Sequence, residues 1–149
     1  MSSEVPSRDS IIISESAAPP VGPYPHARRA GGLVFLSGIG PRLPGGAAIP
    51  GVTLSPSGEV IEYDIAAQTH SCFRNIQAIL AEAGLGLQDV VDVQVFLVDI
   101  KRNFAAFNET YRSYFDAQTG PARTTIGVVG LPTTIHVELK VIAAVRSGV

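Results

Sequence analysis

Apolar and polar positions follow two periods along the chain, and each change of period marks an element. Residues 11–14 form a short strand candidate, and 33–37 (LVFLS) is a continuous apolar run bounded by glycines, as in a buried strand. From Asp64 the period becomes helical. Ile65, Thr69, Cys72, Phe73, Ile76, Ile79, Leu80 and Ala83 recur at i, i+3/i+4, Asp64 is a good N-cap, and Gly84 is a natural stop. Residues 90–100 (VVDVQVFLVDI) alternate at first and then turn apolar, which predicts a strand. Residues 101–115 predict a second amphipathic helix with Phe104, Phe107, Tyr111, Tyr114 and Phe115 on its buried face. After Gly120-Pro121 come two more strands, at about 123–129 and 135–145. In the second, Ile135, Val137 and Leu139 face one way and His136, Glu138 and Lys140 the other.

The connecting segments differ in character. Residues 1–9 read as a mobile tail. In 17–32 (AAPPVGPYPHARRAGG), Pro19, Pro20, Pro23 and Pro25 fix φ and remove donors, so an ordered but irregular segment is expected. Residues 38–60 are punctuated by Gly and Pro and predict a long loop with a hairpin at its end; loops of that length are usually functional or disordered. The order of elements predicts one α+β domain over residues 1–149, with both helices covering one face of a single sheet. Strands such as LVFLS and VIAAV are apolar on both sides, so the other face also needs cover. Subunit association is the simplest cover.

Composition strengthens that expectation. Hydrophobic residues make up 46% of the 149 and charged residues only 16%, which is apolar for a chain of this size. The formal net charge is -2 with no basic run, which argues against nucleic-acid partners. The single cysteine, Cys72, cannot form an internal disulfide and fits a reducing cytosol. The first residues are polar and lack the apolar core of a signal peptide, and no run is long and apolar enough to span a membrane. A cytoplasmic protein is the expectation.

Few residues carry candidate chemistry. Neither GxGxxG nor a Walker loop occurs, so no nucleotide cofactor is expected. His26, His70 and His136 lack metal-ligand spacing, so no metal is expected either. Cys72 lies on the apolar helix face and reads as a small buried residue. What remains is the stretch 120–145, GPARTTIGVVGLPTTIHVELKVIAAV, with Arg123 after a Gly-Pro-Ala turn and Glu138 inside an apolar strand, together with Tyr24 and the long loop. Arg suits bidentate capture of a carboxylate. A Glu in apolar surroundings can have its pKa raised and handle protons or orient a water. By residue type alone, a structural Arg–Glu pair is the more economical reading. Asn108, beside the aromatic stripe, suits a cleft or mere packing equally.

Taken as an ordered series, four segments change the balance: GPYPHARRAGGLVFLSG, DIAAQTHSCFRNIQAILAEAG, VVDVQVFLVDIKRNFAAFNETYRSYF and GPARTTIGVVGLPTTIHVELKVIA. The chain resembles the Rid/YjgF family of enamine/imine deaminases over roughly residues 18–145. The resemblance implies a chorismate-mutase-like α+β fold and a homotrimer around a central barrel, with active sites between subunits. It implies that Arg123 binds the substrate carboxylate and that Glu138 positions or activates water. It further implies that Tyr24 lines the cleft, that Ser37 and Gly38 give backbone contacts, and that Asn108 and Thr125 contact ligand. GPYPHA places His26 where the family commonly has an amide, and the loop GIGPRLPGGAAIPGV is longer than usual. These features look like the 2-aminomuconate deaminase subgroup. That substrate has a second carboxylate, for which Arg42 is the first candidate donor and His26 the second.

Overall fold

The computed structural model describes residues 10–146; the tail expected at 1–9 lies outside the described residues. Eight strands and two α-helices follow in the order β1 (Ile11–Ile12), β2 (Ala27–Ala30), β3 (Leu33–Leu36), β4 (Thr53–Leu54), β5 (Val60–Glu62), α1 (Ile65–Glu82), β6 (Val90–Val98), α2 (Ile100–Tyr111), β7 (Ala122–Val128) and β8 (Val137–Ala144). α1 forms where its local signals place it. Extended Asp64 accepts a hydrogen bond from the Ala67 N–H at 3.0 Å, and Gly84 leaves the helix with φ +74°. Every residue of its predicted stripe is buried. That includes Cys72, whose thiol pKa burial pushes well above its ordinary value, so it is a packing residue and no nucleophile.

α2 ends at Tyr111, earlier than the pattern predicts. Phe107 and Tyr111 are buried, but Phe104 is 40% exposed and so is not part of the core face. It sits at the rim, where the Arg123 guanidinium lies 6.0 Å from its ring. The segment 17–32 is likewise not wholly irregular. Its residues 27–30 form β2, paired antiparallel with β3 across Gly31 and Gly32, both at positive φ. A two-residue glycine turn is a hairpin signal that the polar sequence ARRA obscures. The long loop does end in a hairpin, β4–β5.

Six strands form one mixed sheet in the order β1-β2-β3-β8-β6-β7. Every pairing is antiparallel except β6–β7, which is parallel and joined by α2. Val93, Val95, Leu97, Val137, Leu139 and Val141 are buried on the face that the helices cover. The opposite face carries Gln94, Phe96, Glu138 and Lys140, and there Phe35 and Ile126 stay 37% and 43% exposed. Among the described residues no helix is long and apolar enough to cross a membrane.

Candidate functional site

The site starts from a one-residue change of register. Phe35 pairs with Ile142, but four residues on, Ile39 bridges Leu139, with hydrogen bonds of 2.8 and 2.9 Å between their backbones. One extra residue therefore stands between β3 and β8, as in a β-bulge. The bulge brings Gly38 directly against Glu138. A Cβ on Gly38 would lie 2.8 Å from the Glu138 carboxyl carbon, so only glycine leaves the carboxyl its room.

Among the described residues the Glu138 carboxyl has no hydrogen-bond or ion-pair partner. Burial pushes its pKa above the ordinary 4.5. Since the folded value exceeds the unfolded one, the folded state holds the proton longer. Stability should therefore fall as pH rises through the window above 4.5, and Glu138→Gln should remove that component. Denaturant midpoints of both proteins between pH 4 and 8 would test this; parallel curves would contradict it.

Glu138 forms part of an open groove of about 570 Å³, lined also by Tyr24, Ser37, Gly38, Gln94, Phe96, Pro132 and Lys140. The Ser37 hydroxyl donates to the Pro25 carbonyl at 2.7 Å and so fixes the proline-rich segment that carries Tyr24. Lys140, two residues from Glu138 on the same face, donates to the Leu36 carbonyl, and burial lowers its pKa. The alternation of β8 shows Lys140 on the face of Glu138. Gln94 and Phe96 enter through the β6–β8 register, which pairs them with Lys140 and Glu138.

A cavity of about 40 Å³ shares Tyr24, Ser37, Gly38, Pro132 and Glu138 with the groove and adds His26, Arg42 and Asn75 to its walls. That is room for a few ordered waters. His26 is 3% exposed and both ring nitrogens are engaged: Nδ1 accepts from the Ser14 N–H at 3.0 Å and Nε2 donates to the Ala18 carbonyl at 2.7 Å. It ties two stretches of the N-terminal segment together and has no donor left for a ligand. His26→Ala should cost about 1–3 kcal/mol of stability by orphaning these groups, and a Tm equal to that of the unsubstituted protein would count against it. Arg42 donates to the Pro19 carbonyl, and its own carbonyl accepts from Asn75 at 2.8 Å.

Arg123 does not meet Glu138 within one chain. In register, Arg123 pairs with Val93 and Glu138 with Phe96, and these two β6 residues point to opposite faces. The two ion pairs among the described residues, Arg112–Glu109 and Arg146–Asp89, involve neither, so the structural Arg–Glu pair does not form. The Arg123 guanidinium instead lies 4.6 Å over the Tyr111 ring and 5.7 Å from Phe107. Thr125 is two residues along the same strand, and Asn108 lies on α2 within one turn of both Phe104 and Tyr111. The predicted residues thus divide into two groups. Tyr24, Ser37, Gly38 and Glu138 line the groove, and His26 and Arg42 line the smaller cavity that shares these four residues. Arg123, Thr125 and Asn108 lie at the β7 edge of the sheet.

Known proteins match this architecture over nearly its full length. The family model described as Endoribonuclease L-PSP matches residues 15–145. A RutC family protein of Pyrococcus abyssi is 38% identical over 133 residues, covering 89% of this chain and 94% of its own. The structure of E. coli TdcF with bound serine superposes with a TM-score of 0.76 at 32% identity, over 92% of this chain and 98% of that one. YyfA from Yersinia pestis, described as of the conserved Rid protein family, does so with 0.75 at 33%, over 91% and 98%.

Proposed function

The chain belongs to the Endoribonuclease L-PSP family, that of the RutC and Rid proteins, and from that premise we propose that it is an enamine/imine deaminase acting on 2-aminomuconate. The reaction consumes one water and releases ammonia and 4-oxalocrotonate. A proton moves to carbon and turns the enamine into an imine. Water then adds to the C=N carbon, and the resulting carbinolamine expels the nitrogen as ammonia. The observation that carries this reading is Glu138, a half-buried carboxyl with no partner among the described residues, seated against Gly38 in an open groove. As a carboxylate it can take the proton of the attacking water and return it to the leaving nitrogen.

Arg123 is the donor proposed for the carboxylate beside the reacting carbon. Its guanidinium has no anionic partner among the described residues and stands on the edge strand, so it is suited to reach the groove of a neighbouring copy. A homotrimer around a barrel core, with sites between subunits, would join the two groups and cover Phe35 and Ile126. A nucleic-acid substrate is disfavoured by the net charge of -2 and by a groove lined by a single cation, Lys140.

A second reading, a general 2-imino acid deaminase, is favoured by the likeness to TdcF with bound serine, a small monocarboxylic amino acid. Ammonia release from 2-aminomuconate and from 2-iminopropanoate, assayed in parallel, separates the two. Release from neither would leave a trimeric metabolite-binding protein. Gly38→Ala should lower turnover at least about tenfold at nearly unchanged Tm, since Gly38 is not in the left-handed region and the flexible carboxyl can move aside at the expense of its position. Unchanged turnover would show that the Gly38 contact does not position Glu138.

A further inference from the structure

The groove contains one cation that the chemistry above leaves unused. Lys140 stands on the face of Glu138, opposite Gln94, and lines the same groove with Phe96 and Tyr24. Its ammonium is partly withdrawn from water, yet its one partner among the described residues is the neutral Leu36 carbonyl. A partly buried ammonium without a counterion is a ready partner for an anionic group that enters the groove. Neither shift in the groove has the other residue as a cause: burial alone acts on Glu138 and on Lys140. Side chains two apart on a strand are separated by roughly 7 Å along it. That is about the reach of a six-carbon chain from its reacting end to its far carboxylate.

We propose that Lys140 is a specificity-determining residue that binds a second carboxylate of the substrate, in the groove it shares with Glu138. This deepens the deaminase reading and rests on it for the identity of the reacting end. It gives the far carboxylate to Lys140 and not to Arg42, which does not line this groove and whose guanidinium holds the Pro19 carbonyl. The ligands selected would be dicarboxylates, and a monocarboxylate of equal length would lose this contact alone.

The test compares two unreactive six-carbon probes, hexa-2,4-dienedioate and hexa-2,4-dienoate, which differ only in the second carboxylate. Calorimetric titration of the whole chain should show the diacid binding about tenfold or more tightly than the monoacid. Lys140→Met should abolish that preference without changing affinity for the monoacid. Lys140→Arg should keep most of it, which guards against a mere loss of fold, and Arg42→Ala should keep it in full. The proposal is overturned if the preference is absent in the unsubstituted protein, survives in Lys140→Met, or disappears in Arg42→Ala instead. Loss of affinity for both probes in Lys140→Met would also overturn it. If the preference behaves as expected while 2-aminomuconate releases no ammonia, the choice of substrate fails and the role of Lys140 stands.

Discussion

Glu138→Gln is expected to lower kcat by about 10²- to 10⁴-fold, the range for loss of a general acid–base group. The amide has nearly the size of the carboxyl, so contact with Gly38 and the shape of the groove are retained. What is lost is the capacity to take a proton from water. Because burial raises the Glu138 pKa, the acid limb of the kcat/KM profile should lie above the ordinary carboxylate range, with activity rising as pH crosses it. In Glu138→Gln that limb should be absent. Steady-state ammonia release from pH 4 to 9 reads both effects, and a variant within a few-fold of the unsubstituted protein would remove Glu138 from the chemistry. The same substitution should make the folded state more stable at neutral pH, which separates loss of chemistry from loss of fold.

Arg123→Lys is expected to lower kcat/KM roughly 10- to 100-fold, mainly through KM. Lysine keeps the charge, but an ammonium cannot present two parallel N–H donors to one carboxylate. The decisive measurement mixes two impaired proteins at substrate well below KM, where Arg123→Lys keeps at most about a tenth of full activity. Arg123 and Glu138 lie on opposite faces of one sheet, so a site that uses both draws them from different copies. In oligomers reassembled from equal amounts of Arg123→Lys and Glu138→Gln, half the sites receive an intact Glu138. Half of those face an intact Arg123, so about a quarter of full activity should return. Mixtures no more active than the mean of their two components would contradict a site shared between copies.

Some of this was legible along the chain and some was not, and the dividing line is physical. α1 is specified locally: its cap, its stripe and its stop all lie within the segment itself. The alternation of β8 is local too, and it already sets Lys140 beside Glu138. The relation of Arg123 to Glu138 is not local. The two strands do not touch, and their faces can be compared only through β6, against which Val93 and Phe96 differ by an odd number of residues. Nor could the period of LVFLS reveal the extra residue that presses Gly38 onto Glu138, because register is a property of two strands. β2 was hidden because its two central residues, Arg28 and Arg29, are polar, though Arg29 reaches the Ala83 carbonyl at 3.1 Å. His26 looked like a ligand donor because sequence shows a side chain's chemistry but not that the backbone has already taken both its nitrogens.

The position of β7 at the end of the sheet has a further consequence. Its sequence, ARTTIGV, has a single charged residue, Arg123, and its outer rim leaves main-chain donors and acceptors unpaired within the sheet. Such a rim is a template on which other chains can add strands, and a charge is the usual gatekeeper against it. Arg123, the residue proposed to hold the substrate, is the one charge on β7 placed to act as such a gatekeeper. Solubility and ligand capture would then constrain one residue together, and lysine is the replacement that separates them.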